Sequence, residues 1–256
     1  GGGGGGGSGC VAATSSTTEE TEDDGGEWQE VGKASKVLST TRTVTAASSP
    51  IRAIFSGQLC TRLVSQDTDG RSGKPSITIE PFQCLNLDIK ASDVHSLDDA
   101  LGAFFKSEAL EGFTVKGQQA HASRQSALLE LPAVLVLHLK RFTFDRNGPH
   151  KVSKPIRYSE TLRLSKAHLA PNCVNLQNHG SKSSRAAAPA PTFKLFAVVS
   201  HHGHTLGGGH YTCDSRSVGG SSSEWFHCDD SRIHRVPVSE VLRRQAYVLF
   251  FERVNS

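Results

Sequence analysis

Four histidines, His201, His202, His204 and His210, fall within ten residues of one another around a run of three glycines, 207–209. Glycine accepts positive φ and lets backbone or a ligand come close. His210, at the edge of that loop and at the start of the next apolar run, is therefore expected to be exposed and rigid at once. Fifteen residues further on, the chain reads Trp225-Phe226-His227-Cys228-Asp229-Asp230. An aromatic-rich strand ending in two adjacent acids points one carboxylate to each face. One of them can orient a histidine from the neighbouring strand, fix its tautomer and make it a base toward a thiol. Each piece alone is weak, because Gly-Gly-His is commonly a turn and paired acids after a strand are commonly solvated.

Metal chemistry fits the histidine cluster less well. Metal sites draw ligands at i, i+2 on a strand or i, i+4 on a helix, with carboxylate support, and a glycine-rich loop fixes neither spacing. No metal and no cofactor are expected. Lys140-Arg141 would suit a phosphate, but there is no glycine-rich phosphate loop, so they read as the polar end of a buried strand. The six cysteines, Cys10, Cys60, Cys84, Cys173, Cys213 and Cys228, are far apart and form no Cys-x-x-Cys pair. They read as reduced thiols of a protein of the cytoplasm and/or nucleus. Cys10 lies in a low-complexity tail, with no Asn or Gln upstream to donate to an oxyanion and no apolar helix after it, so it is a poor nucleophile. Cys213 and Cys228 sit on strands and read as core thiols.

The elements that must position these groups follow from texture and period. Residues 1–26 are rich in Gly, Ser, Thr and acids, carry no Lys or Arg, and are expected to stay disordered. Without residues 1–30 the chain holds 28 basic and 18 acidic residues, a mild excess with no aromatic-basic alternation, so nucleic acid is not the expected partner. No run of about 18 apolar residues exists to span a membrane, and the start has neither the basic leader nor the apolar stretch of a signal peptide. The absence of any Met, together with the opening Gly tract, suggests that a beginning is missing.

From residue 51 short apolar runs, Ile51–Phe55, Ile77–Ile79 and Leu85–Ile89, alternate with turn-rich pieces such as Asp67–Gly70 and read as strands and hairpins. Ser96 with Asp99 reads as a capping box, and Leu97, Ala100, Leu101, Phe104 and Phe105 give helical spacing to about Ala109. Val134–Leu139 is a near-continuous apolar run that fits a strand buried on both faces, with a short buried helix as the alternative that periodicity alone leaves open. Residues 171–192 form an Asn/Ser/Ala/Pro-rich insertion expected at the surface and mobile. Strand-like runs return at 193–200, 210–213, 224–228 and 246–251, with a short helix near Val238–Arg244. The expected class is α+β, mostly antiparallel β, with a disordered N-terminal tail.

Four blocks, in order, resemble the second half of the ubiquitin-specific protease family. They are Ile54-Phe55-Ser56-Gly57 with Pro81–Ile89; Leu131–Phe142 with its Leu-Lys-Arg-Phe end; Gly-Gly-His210-Tyr211; and Trp225–Asp230 with Ala246–Phe251. Glu27–Lys33 and His201-His202-Gly203 are similar to the ten branch of that family, and the chain resembles that branch also in lacking the finger-region cysteines that bind zinc.

The resemblance implies the papain-like cysteine peptidase superfamily, with residues 27–256 a partial domain: 51–130 fingers-like, 131–256 palm-like, and the thumb missing. It implies a deubiquitinase that hydrolyses the isopeptide bond after the C-terminal Gly of ubiquitin, with ubiquitin and ubiquitinated proteins as partners. By position His210 would be the general base, Asp229 its orienting acid and Asp230 the supporting acid. The 201–209 loop would gate ubiquitin's tail, with His201, Gly208, Gly209 and Tyr211 at the channel. The family's nucleophile block, Asn and Thr before a Cys with a helix after it, has no match here. The chain thus reads as a fragment lacking the nucleophilic Cys; a non-catalytic ubiquitin-binding module is the alternative.

Overall fold

A computed structural model of the protein describes residues 28–31, 39–44, 47–66, 73–115, 118–146, 148–173, 190–203, 205, 208–217 and 224–254. The expected tail over 1–26 and most of the insertion over 171–192 lie outside the described residues, as does Cys10. In chain order the elements are β1 (Trp28–Val31), β2 (Ser39–Thr43), α1 (Pro50–Phe55), β3 (Gly57–Gln66), β4 (Ser76–Phe82), β5 (Leu85–Asp88), α2 (Leu97–Phe105), β6 (Glu108–Leu110), β7 (Thr114–Val115), β8 (Gln118–Gln119), β9 (His121–Glu130), β10 (Val134–Lys140), β11 (Phe142–Asp145) and β12 (Gly148–Lys151). They continue with β13 (Thr161–Arg163), a 3-10 turn at Lys166–His168, β14 (Thr192–His202), β15 (His210–Arg216), β16 (Trp225–Asp229), β17 (Arg232–Val236), α3 (Val238–Val241) and β18 (Ala246–Arg253).

Two large sheets carry most of the described structure, beside the two-stranded pairs β7-β8 and β11-β12. The first has the order β1-β2-β4-β3-β9-β6 and the second β17-β16-β15-β14-β18-β10-β5, with β13 also paired to β14. Pairing is antiparallel except for β2 with β4 and β5 with β10. Although β5 falls inside the fingers-like range of the sequence, it completes the second sheet beside β10.

Ile51–Phe55, expected as a strand, is instead the short helix α1. Ser49 accepts from the Arg52 amide at 3.3 Å, and Pro50 supplies a preset φ at the first helical turn. Together they outweigh the strand preference of Ile and Phe. The expected capping box of α2 is present: Ser96 Oγ accepts from Asp99 N at 3.1 Å, and Asp99 Oδ2 accepts from Ser96 N at 2.9 Å. That helix stops at Phe105, short of the expected Ala109, because Glu108–Leu110 pairs with β9 as β6. Its buried face, Leu97, Ala100, Leu101 and Phe105, joins the core, each large side chain contributing roughly 1.5–3 kcal/mol of burial.

The core lies on one face of the second sheet, where Leu135, Leu137, Leu139, Phe193, Leu195, Val198, Leu249 and Phe251 are all essentially inaccessible. β10, expected to be buried on both faces, is fully covered on one; on the other Val136 is buried but its neighbours Val134 and His138 are half-buried. Phe196 and Phe250 meet on that second face with ring centroids 6.1 Å apart. Arg141 departs most from its expected place as a polar strand end. It is 1% exposed and its guanidinium donates to the carbonyls of Ala246, Val152 and Lys154 at 2.6, 3.0 and 3.0 Å, pinning the chain after β10 to the start of β18.

Candidate active site

At one end of the core face the side chains turn polar. Along β15, alternation puts His210, Thr212 and Asp214 on that face, and along β16 it puts Asp229 and His227 there. The register Asp214↔His227 and His202↔His210 aligns them with β14. His210 Nε2 and Asp229 Oδ1 lie 2.5 Å apart, and both side chains remain partly open to solvent. The hydrogen bond to Asp229, then the charges of Asp229 and Asp230, hold the His210 imidazole above its ordinary pKa against a smaller opposing cost of burial. The same bond holds the Asp229 carboxyl below the usual range. With Nε2 committed to the carboxylate, Nδ1 is the nitrogen free to exchange a proton with a reacting group.

Asp230 is the described non-glycine residue with positive φ, 52°. It sits in the two-residue turn that joins β16 to β17, since Asp229 pairs with Arg232, and Asp is among the residues that tolerate this region. That turn ends β16 directly after Asp229 and leaves one ligand atom each of His210, Asp229 and Asp230 within 4.8 Å of one another. Such a trio could hold a cation, but its histidine nitrogen nearest the acids is already engaged by Asp229.

The glycine loop is built from below. His201, expected in a loop, is still on β14, opposite Tyr211, and is 5% exposed. Its ring lies 4.7 Å from Tyr211 and 5.1 Å from Phe142, with Tyr247 at 6.0 Å. A Cβ on Gly209 would run into this imidazole and come within 2.6 Å of His202 O, so glycine there lets the loop lie flat on His201. Lys151 straps the turn from the β11–β12 hairpin, donating to His201 O at 2.7 Å and Gly203 O at 2.8 Å. Burial, then the Lys151 charge, pushes His201 below its ordinary pKa. Gly208 has open space around its Cα and accepts from Thr205 Oγ1 at 3.3 Å. Tyr211 is 54% exposed. His204 and Gly207 lie outside the described residues.

Behind the His210–Asp229 pair is a brace that the sequence reading missed. Asp214 is inaccessible and joins His227 Nδ1 at 2.8 Å and Arg244 Nε at 3.2 Å. Tyr158 donates to the Val241 and Arg244 carbonyls at 2.7 and 3.2 Å, fixing the turn that carries Arg244. Thr212, between the two aspartates of this face, meets His202 Nε2 at 2.9 Å. The rule of two that assigns His210 and Asp229 to one face also puts Asp214 and His227 there. Lys151, Phe142 and Tyr247 had no such signal, since they reach His201 from other elements.

Cys213 and Cys228 alternate to the opposite face from His210 and Asp229, so neither thiol can face His210 Nδ1.

The profile described as "Ubiquitin carboxyl-terminal hydrolase" matches residues 16–251. Ubiquitin hydrolase B of Dictyostelium discoideum is 38% identical over 232 residues, 89% of this chain and 46% of that protein. Ubiquitin carboxyl-terminal hydrolase 10 of Rattus norvegicus is 36% identical over 235 residues, 90% of this chain and 28% of that protein. The chain therefore spans less than half the length of these curated relatives. Among solved structures, that of the SAGA Ubp8/Sgf11/Sus1/Sgf73 DUB module bound to ubiquitin aldehyde superposes with a TM-score of 0.64 and 30% identity, over 80% of this chain and 42% of that one. With a match this long, falling on the strands that bring His210 to Asp229, the chain belongs to the ubiquitin carboxyl-terminal hydrolase family of cysteine-type deubiquitinating peptidases.

Proposed function

We propose that these residues are the base-supplying and ubiquitin-holding part of a deubiquitinase that hydrolyses the isopeptide bond after ubiquitin's terminal Gly. The observation that carries this reading is the His210–Asp229 pair, 2.5 Å apart and open to solvent beside a glycine loop, in a chain of this family. A solved relative was captured with ubiquitin aldehyde, which supports ubiquitin as the partner. His210 Nδ1 takes the proton of an attacking thiol, and Asp229 stabilises the imidazolium that forms. The thiolate attacks the carbonyl carbon, and the departing amine receives the proton back from His210. Water, deprotonated by the same imidazole, then releases the acyl group. Asp230 adds negative charge beside the pair. Gly208 and Gly209, between His201 and Tyr211, offer side-chain-free backbone to the two glycines of ubiquitin's tail, and larger residues are rejected by their bulk.

Cys213 and Cys228 face away from the pair, Cys173 is buried, Cys84 precedes the far edge strand β5 and Cys60 lies in the first sheet, so we infer that the thiol comes from polypeptide other than the described residues. A mechanism built on a reduced thiol fits a protein of the cytoplasm and/or nucleus. The test uses ubiquitin bearing a C-terminal electrophile. A longer polypeptide that joins these residues to the thiol segment is expected to form a covalent adduct, which His210→Ala abolishes. The 256-residue chain alone is expected to bind ubiquitin without forming one. An adduct indifferent to His210→Ala, or one mapped to Cys213 or Cys228, sinks the assignment.

A further inference from the structure

The chemistry above leaves Cys213 and Cys228 unused. They stand directly opposite each other on β15 and β16, in a register without a shift. Opposed residues of an antiparallel ladder have Cα atoms about 4.5 or 5.5 Å apart, according to the type of pair. Both values fall inside the window of roughly 4.4–6.8 Å that a disulfide spans. The two side chains leave the same face, both are free thiols, and both are half-buried. The row across the sheet at this level reads Val248, Val199, Cys213, Cys228, Ile233. The thiols are thus flanked by aliphatic side chains and face each other. Cys60, by contrast, is opposed by Ile79 on one side and Ala127 on the other.

We propose that Cys213 and Cys228 form a reversible modification site, a cross-strand dithiol that a hydroperoxide converts to an intramolecular disulfide. The sulfur of one cysteine, as thiolate, attacks hydrogen peroxide, releasing water and leaving a sulfenic acid. The sulfur of the other displaces that hydroxyl, which departs as the second water. Two thiols and one peroxide give one disulfide and two waters, with two electrons passing to the peroxide; a dithiol reductant reverses the step. Burial pushes the Cys213 thiol up, and the neighbouring Cys228 adds to it, which slows its own attack on the peroxide and suits it to the second, resolving step. The bond would tie the strand that carries His210 to the strand that carries Asp229, on the face away from both side chains.

The arrangement also sets its own assay, because trypsin cuts after Arg216 and Arg232 and places the two cysteines alone in peptides 195–216 and 217–232. The reduced chain is treated with stepped doses of hydrogen peroxide, blocked with an alkylating agent, digested and analysed by mass spectrometry without reduction. The expected product is the pair of peptides joined within one chain, two hydrogens lighter than their sum. Dithiothreitol should separate them, and neither Cys213→Ser nor Cys228→Ser should yield any. The proposal is overturned if both peptides are recovered separately at doses that already oxidise Cys60 or Cys84. Linkage to other cysteines, or linkage only between two chains on a non-reducing gel, overturns it equally.

Discussion

Replacing Arg141 by Leu tests whether an inaccessible cation can be a net stabiliser with no carboxylate partner among the described residues. The side chain makes three hydrogen bonds to backbone carbonyls, one of them only 2.6 Å long. Bonds from a charged donor contribute about 1.5–3 kcal/mol each, so removing all three forfeits about 5–9 kcal/mol and takes this donor from one buried and two part-buried carbonyls. Against this stands the cost of burying the charge. Burial pushes the guanidinium well down, to about 10, which corresponds to roughly 3 kcal/mol against the charged form. Its Nη2 also has no partner among the described residues, a further cost that Leu removes. The balance leaves Arg141→Leu destabilised by about 2–5 kcal/mol. Urea denaturation, followed both by circular dichroism and by tryptophan emission, measures it. Arg141→Lys should fall between wild type and Leu, because one ammonium cannot reach carbonyls fanned around a planar fork. A loss below about 1 kcal/mol for Leu, or a Lys variant equal to wild type, would show that water or rearrangement satisfies those carbonyls and that the arginine is dispensable.

Two further outcomes follow from the site. Asp229 favours the protonated imidazole, so His210 gains stability from the pair that is fully present below its unfolded pKa and is lost as pH rises through its raised folded value. Asp229, held low, contributes above its unfolded pKa and loses that contribution as pH falls through its folded value. In an NMR titration of labelled histidines the His210 midpoint should therefore drop in Asp229→Asn; an unchanged midpoint refutes the coupling. Gly209→Ala forces a methyl toward His201 and to within 2.6 Å of His202 O, and overpacking of this kind costs about 1–3 kcal/mol. Thermal melts should show the loss for Gly209→Ala and almost none for Gly208→Ala, whose surroundings are open.

Spacing and alternation carried the sequence reading a long way. The helix around Ser96 and Asp99 was legible because a capping box is a local signal, and the strands around His210 and Trp225 because apolar runs bounded by turns have few other readings. Alternation also predicts that His210 and Asp229 can meet. What escaped is what depends on partners far along the chain. Residues 51–55 look like a strand until Ser49-Pro50 is taken as a helix start. Glu108–Leu110 leaves the helix pattern only because β9 pairs with it. Arg141 looks like a surface residue, and nothing nearby in sequence reveals that the carbonyl of Ala246 will come to meet it. His201 reads as loop because glycines follow closely, whereas its burial comes from Phe142, Tyr211, Tyr247 and Lys151, gathered from two hairpins and the final strand.

The position of β18 has a consequence for how the protein is made. It is the last described strand in the chain, yet it sits between β14 and β10 in the middle of the second sheet. During synthesis from the N-terminus, β10 with β5 and β14 with its later neighbours emerge as two half-sheets, each with an open edge where β18 belongs. Such edges are templates for unwanted pairing, and the wait lasts until Arg253 has been added. The nascent chain is thus most in need of a chaperone in the interval before β18 is made, and losing the eight residues of that strand would split the sheet down its centre, where trimming β17 would only shorten its rim.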